Sequence, residues 1–234
     1  MLVNSFDTKF GKTAEKYENF DNLFVNLLKK KKIFNRIFTS VLTDKKILKE
    51  INLRSDITGQ VLNSIISQDL PSKQNLYYMG DVFKKDLVSS QIKQFREHGI
   101  EVINQLDAKS FSLTTNLLVE YLNLTIKKNY CFVFTDPNLS NKSDYILDSK
   151  KQGNRISKFI KSFAINNKKI PFVINSEKNF FSKDYHREIF FYVYSDISKK
   201  ILAQGGGYKY KKNNKALNGF GFSCNIDSLV ELVS

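Results

Sequence analysis

Three consecutive glycines, Gly205-Gly206-Gly207, are the densest point at which this backbone could do chemistry. Without a Cβ, such a run permits positive φ and a close approach to a ligand. No Gly-Lys-Ser/Thr follows it and no GxGxxG fingerprint contains it, so it is neither a phosphate loop nor a dinucleotide turn. Alone, it reads as a tight turn between two strands. His98 and His186 are the only histidines, and neither has a cysteine or carboxylate at metal-ligand spacing. They read as structural or surface residues, and no metal site is expected. Cys131 and Cys224 sit in apolar, strand-like contexts and read as buried free thiols of a reducing cytoplasm. No serine–histidine–acid set or reactive cysteine arrangement is visible, and no cofactor motif is present.

The elements that must position these residues follow from periodicity. Residues 12–32 form a strong helix, with Tyr17, Phe20, Leu23, Phe24, Leu27 and Leu28 on one face and Lys29 to Lys32 at the C-terminal end, where cations match the dipole. A second helical piece is expected over Ile33–Leu42. The stretch from Leu53 to Ile103 then organises the chain. It opens with a polar turn, and a helix follows in which Val61, Leu62, Ile65 and Ile66 share a face. Tyr77–Phe83 and Phe95–Ile103 complete it as the two strands of a long hairpin.

Beyond that, Ser112 is placed to cap a helix containing Leu113, Leu117, Leu118, Tyr121 and Leu122. Tyr130–Phe134 reads as a buried strand closed by Asp136-Pro137-Asn138. Residues 138–153 are Ser/Asn/Lys-rich, a loop or small insertion, followed by an amphipathic helix over Arg155–Ile165. Glu188–Tyr194, Lys200–Ala203 and the glycine-broken Gly219–Cys224 are strand-like, and Ile226–Val233 is a final helix. Strands and helices mix without regular alternation, which predicts α+β with an antiparallel sheet of roughly six strands flanked by helices.

Three segments of the central stretch carry a resemblance: "LRSDITGQV", "LYYMGDVFK" and "QFREHGIEVI". Together they resemble the core of the histidyl-tRNA synthetase-like group of class II aminoacyl-tRNA synthetases, with the hairpin as motif 2. Further on, "DYHREIFFYVYS", "ILAQGGGYKY" and "GFGFSCNIDSL" are similar, in order, to the histidine-pocket strand, the glycine-rich segment and motif 3. Asp56, Gln60 and the Gly221-Phe222-Ser223 form of motif 3 look most like the ATP phosphoribosyltransferase regulatory subunit, a relative that charges no tRNA. The resemblance implies one class II synthetase-like domain over residues 1–234, with an insertion around 138–170 and no anticodon-binding domain. It also implies a histidine-like pocket holding Asp56, Thr58, Glu97, Glu101, Tyr185, His186, Gly205 and Gly206. Asp56 and Glu101 would meet a ligand's cationic groups; a helix cap or an internal salt bridge is the competing reading for both.

The departures from the family pattern bear on function. Arginines stabilise the α-phosphate charge in synthetases, and the corresponding positions here are Lys84 in motif 2, Ser228 in motif 3 and Phe181 before the pocket strand. Losing two such charges removes several powers of ten in rate. The resemblance therefore implies a non-catalytic subunit that partners the short-form ATP phosphoribosyltransferase catalytic subunit, self-associates as a dimer and takes histidine as effector. A reduced synthetase-like enzyme and an RNA-binding paralogue are the alternatives. The 234 residues carry a net charge of +14, yet lysine rather than arginine dominates, which reads as solvated surface and not as a nucleic-acid footprint. No run of eighteen apolar residues exists and no signal peptide opens the chain, so a cytoplasmic protein without membrane contact is expected.

Overall fold

The computed structural model describes residues 8–43, 52–85, 91–127, 129–135, 157–175, 186–198, 200–212 and 214–233. In chain order the elements begin with α1 (Lys12–Lys31), β1 (Asn35–Arg36), β2 (Leu42–Thr43), β3 (Asn52–Leu53) and α2 (Thr58–Ser67). The hairpin strands β4 (Gln74–Lys85) and β5 (Ile92–Ile103) follow, then α3 (Ala108–Thr125), β6 (Tyr130–Thr135), α4 (Lys158–Asn166) and β7 (Phe172–Asn175). Strands β8 (His186–Ser195), β9 (Ile201–Lys212) and β10 (Lys215–Asn225) lead into α5 (Ile226–Leu232).

One eight-stranded sheet runs β1-β4-β5-β10-β9-β8-β6-β7, with β2 and β3 paired separately. The hairpin pairs along its whole length, Gln74 opposite Ile103 through Lys85 opposite Ile92. The six inner strands are antiparallel to their neighbours, as the α+β pattern predicts. Both edges depart from it: β1 lies parallel to β4 and β7 parallel to β6. The second edge has a simple cause, because a parallel return needs a crossover connection and α4 lies in it. At the first, Ile33–Leu42 is extended where a helix was expected. Its Asn35 and Arg36 sit opposite Leu76 and Tyr77, and Ile37 N–H donates to Tyr77 O at 2.9 Å. Tertiary pairing overrides the weak helical periodicity there.

Alternation along the strands sends every second side chain to one face. On the face covered by α1, α3, α4 and α5, Phe111, Phe132, Phe134, Phe163, Phe191 and Phe220 form an aromatic core with fully buried rings. Ring centroids lie 4.7–6.2 Å apart, in tilted and edge-to-face pairs and, for Phe132 and Phe134, a stacked one. Phe20, Phe24, Leu27 and Leu28 of α1 join the same core, as the heptad-like spacing predicts. The opposite face is covered by α2, whose Val61, Leu62, Ile65 and Ile66 pack on Leu76, Tyr78, Val82 and Tyr208. Two further expectations need correction. Helix α3 is capped by Asp107, which accepts from Ser110 N–H at 2.7 Å, while Ser112 lies inside the first turns and meets Ser162 of α4. The glycine run is no turn: β9 passes through it unbroken, in the middle of the sheet. Cys131 is half-buried and Cys224 fully buried, both as free thiols.

A polar knot ties α1 and α5 to the helix-covered side of the hairpin. His98 of β5 is wholly buried and stacks on Phe24 at 4.9 Å between centroids. Its Nε2 lies 2.7 Å from Asp21 Oδ1 and its Nδ1 2.9 Å from the Tyr121 hydroxyl, so Nε2–H donates to the carboxylate, which can only accept. Arg96 adds a two-point bond to Asp21, at 3.0 and 2.5 Å. Asp227, at the start of α5, accepts from Arg96 N–H at 2.7 Å and from the Tyr17 hydroxyl at 2.5 Å.

Burial outweighs the Asp21 bond and holds the His98 pKa below its ordinary 6.5. For Asp21, burial pushes upward, but the bonds from His98 and Arg96 win and hold it at about 2, against 3.8. Below pH 6.5 the unfolded chain takes up the histidine proton first, so stability falls with pH in that window. Asp21 adds a second loss between 3.8 and about 2. Denaturation midpoints measured from about pH 8 to about pH 5 should therefore decline, and His98→Gln should flatten the slope. An unchanged slope in that variant would place the titrating group elsewhere.

Candidate functional site

The site is built where α2 starts, on the sheet face away from the aromatic core. The turn before α2 places Asp56, whose Oδ2 accepts from Gly59 N–H at 3.1 Å and so closes the helix N-terminus. Thr58, the first residue of α2, points its hydroxyl at the sheet and donates to Glu101 Oε1 at 2.7 Å. Glu101 is 1% exposed. A Cβ on Gly221 would lie 2.2 Å from Glu101 Oε2, so the carboxylate rests directly on the bare backbone of β10. The Tyr78 ring does the same over Gly99, where a Cβ would lie 2.3 Å from its hydroxyl.

Asp56, Thr58 and Glu101 line one wall of a cleft that continues over Gly205, Gly206 and Gly221 to Phe190, Gln204, Tyr208 and Ser223. Gly206 has a φ of 155°, and a side chain there would strike Ile189 O and Phe190. The enclosed floor of the cleft holds only about 30 Å³, so an amino-acid-sized ligand has to extend through its open mouth. Burial, then the charges of Glu101, Glu97 and Asp56, raise the Tyr78 pKa well above 10, only partly offset by the Thr58 contact. That phenol stays protonated, and its hydroxyl lies 3.5 Å from the Thr58 hydroxyl.

Glu97 lies on the same face, opposite Gly80 and two residues along β5 from Gly99. Its carboxylate receives the Lys84 ammonium at 2.7 Å. On this same face, beside Gly80, Arg54 is 3% exposed and bonds Asp81 O at 2.5 Å, Thr39 Oγ1 at 2.7 Å and Thr39 O at 3.1 Å. Gly80 leaves the room for it, since a Cβ there would lie 2.2 Å from the guanidinium. Arg54 thus fastens the Thr39–Ser40 segment to the hairpin and serves position, not ligand contact.

Of the expected site residues, Asp56, Thr58, Glu101, Gly205 and Gly206 meet in one cleft, and Glu97 joins the same face through its bond to Lys84. Tyr185 and Phe181 lie outside the described residues. His186 is placed by its backbone alone, opposite Tyr208. Phe190, Gln204 and Tyr208 of β8 and β9, with Gly221, Phe222 and Ser223 of β10, complete the lining and are not among the expected residues. The signal for those of β8 and β9 is the period-two alternation of these strands, which is lost once the glycines are taken as a turn. Ser228 carries no charge, and its N–H is taken up by the Asn225 side chain that caps α5, at 3.0 Å.

No protein-family model matches the chain, and no curated protein sequence matches it. Solved structures do. An ATP phosphoribosyltransferase regulatory subunit/histidyl-tRNA synthetase from Bacillus halodurans matches with a TM-score of 0.77 at 13% identity, over 100% of this chain and 84% of that one. Histidyl-tRNA synthetase from S. aureus matches with a TM-score of 0.73 at 16% identity, over 100% of this chain and 70% of that one. A chain of the ATP phosphoribosyl transferase (HisG:HisZ) complex from Thermotoga maritima matches with a TM-score of 0.65 at 14% identity, over 91% of this chain and 96% of that one. At these identities the likeness is one of architecture: this chain is built on the class II synthetase-like fold.

Proposed function

We propose that this chain is a non-catalytic regulatory subunit of ATP phosphoribosyltransferase, and that its cleft takes histidine as an effector. The observation that carries this is the composition of the cleft on a synthetase-like frame. The amine-binding half is present as Asp56, Thr58 and Glu101. At the positions of the two arginines that would serve the phosphate, the described residues supply Lys84, tied to Glu97, and the uncharged Ser228. Carboxylates with a hydroxyl suit an ammonium or imidazolium group. Of the three arginine positions of the resemblance, Ser228 and Phe181 carry no charge for chemistry that depends on it. In this reading, transfer of the phosphoribosyl group belongs to the short-form catalytic partner. The (HisG:HisZ) complex among the structural neighbours supports such a partnership.

Self-association as a dimer belongs to the same proposal. Ile33, Phe38, Val41 and Leu42 expose apolar side chains along the segment that carries the short edge strand β1, and an open edge with an apolar border favours pairing. A cytoplasmic location fits the free thiols and the reaction assigned to the complex; among the described residues no helix is long and apolar enough to cross a membrane. Co-purification of the tagged chain from its own cells tests the partnership: the catalytic subunit should come with it, and a catalytic subunit fully active without this chain would refute the role.

Two measurements address the cleft. The purified chain should not exchange pyrophosphate into ATP in the presence of histidine; robust exchange that Lys84→Ala abolishes would make it an enzyme. In the reconstituted complex, Glu101→Gln should raise the histidine concentration for half-inhibition roughly tenfold, because a hydrogen bond to a charged group contributes about 1.5–3 kcal/mol. Asp56→Asn, which keeps the cap of α2 while removing the charge, should act in the same direction. Unchanged inhibition in both variants would leave the cleft without a sensing role.

A further inference from the structure

The cleft face is acidic around one buried phenol: the charges of Glu101, Glu97 and Asp56 all bear on Tyr78. Lys84 reaches this face from the hairpin and ends 2.7 Å from Glu97 Oε1. The two ends of that pair are unlike. The Glu97 side chain is 6% exposed and that of Lys84 is 41% exposed, so the carboxylate is the fixed partner and the ammonium is drawn to it. The bond is thus anchored in the sheet, where charge interactions are screened less than at the surface.

A ligand phosphate that approached Lys84 would have to break this bond or sit against the Glu97 charge, and both oppose binding. An ammonium group meets no such opposition from Lys84, whose charge is already held by Glu97, and it finds the Asp56 and Glu101 carboxylates on the cleft wall. We propose that Glu97 sets the ligand class of the cleft: by holding Lys84 it admits amine-bearing ligands and turns away nucleoside triphosphates. This rests on the cleft being a ligand site, as proposed above, and not on the identity of the partner. It also gives the arrangement a use. A cleft that turns away nucleoside triphosphates stays open to an amine-bearing ligand where such nucleotides are abundant.

The test is a calorimetric titration of the purified chain with ATP, repeated on Glu97→Gln and on Glu97→Gln/Lys84→Gln. Glu97→Gln is close to isosteric and releases Lys84, so it should bind ATP at least roughly tenfold more tightly than the natural chain. The double variant should lose that gain. Should Glu97→Gln fail to fold by circular dichroism, Glu97→Ala, which frees Lys84 without burying an amide, carries the same expectation. ATP bound equally well by the natural chain, or no gain in a folded variant, overturns the proposal. A gain that survives in the double variant overturns it too, because the released cation would then not be its source. The measurement uses this chain alone, so a missing partner would refute the regulatory role and leave this result standing.

Discussion

Strand β5 carries charge to both faces of the sheet, and most of the molecule is arranged around that burden. Arg96 and His98 point into the helix-covered side, while Glu101 points into the cleft and Glu97 lies on the same face as the cleft. None of these groups can be left in a low-dielectric interior without a partner. Each is answered by a different element: Asp21 from α1, Asp227 from α5, Tyr121 from α3, Thr58 from α2 and Lys84 from β4. Helix placement is therefore set by polar matching as well as by apolar burial. The bonds to Asp21 and Tyr17 hold α1 in the rotation that its apolar face also selects.

The same alternation explains what the cleft can do. Its acidic wall is mounted on the central hairpin and the first turn of α2, both of which are held by backbone pairing and an apolar contact to Tyr78 and Val82. A ligand would meet groups whose positions are already fixed, which limits the ordering entropy lost on binding. The tightness of the floor has the opposite effect, since little of a ligand could be enclosed. Recognition would then rest on charge and on a few oriented bonds at the mouth rather than on apolar burial.

Much of this was legible in the residues. The spacing of Phe20, Phe24, Leu27 and Leu28 gives α1, and Val61, Leu62, Ile65 and Ile66 give α2, because each face is strictly periodic. The hairpin was legible for the same reason. What escaped was decided by contacts distant in sequence. Ile33–Leu42 is extended because Tyr77 offers a carbonyl and Arg54 grips Thr39, and neither is visible locally. The start of α3 at Asp107 was hidden by a serine that looked equally able to cap. In the cleft, motif order located Asp56, Thr58 and Glu101, whereas Phe190, Gln204 and Tyr208 depended on recognising Gly205–Gly207 as strand interior.

The glycines beneath the cleft invite a last consequence. Gly99 and Gly221 are not empty space left for a guest; they are sockets occupied by the chain's own Tyr78 ring and Glu101 carboxylate. Selection on such positions would continue after any ligand was abandoned, because a methyl group there strikes a resident side chain. Persistence of the glycine pattern in a diverging lineage is thus a record of packing ancestry, and it is silent on whether the cleft is still in use. The Glu97–Lys84 pair is of another kind, because it couples two side chains, and a change at one position leaves the charge at the other unanswered.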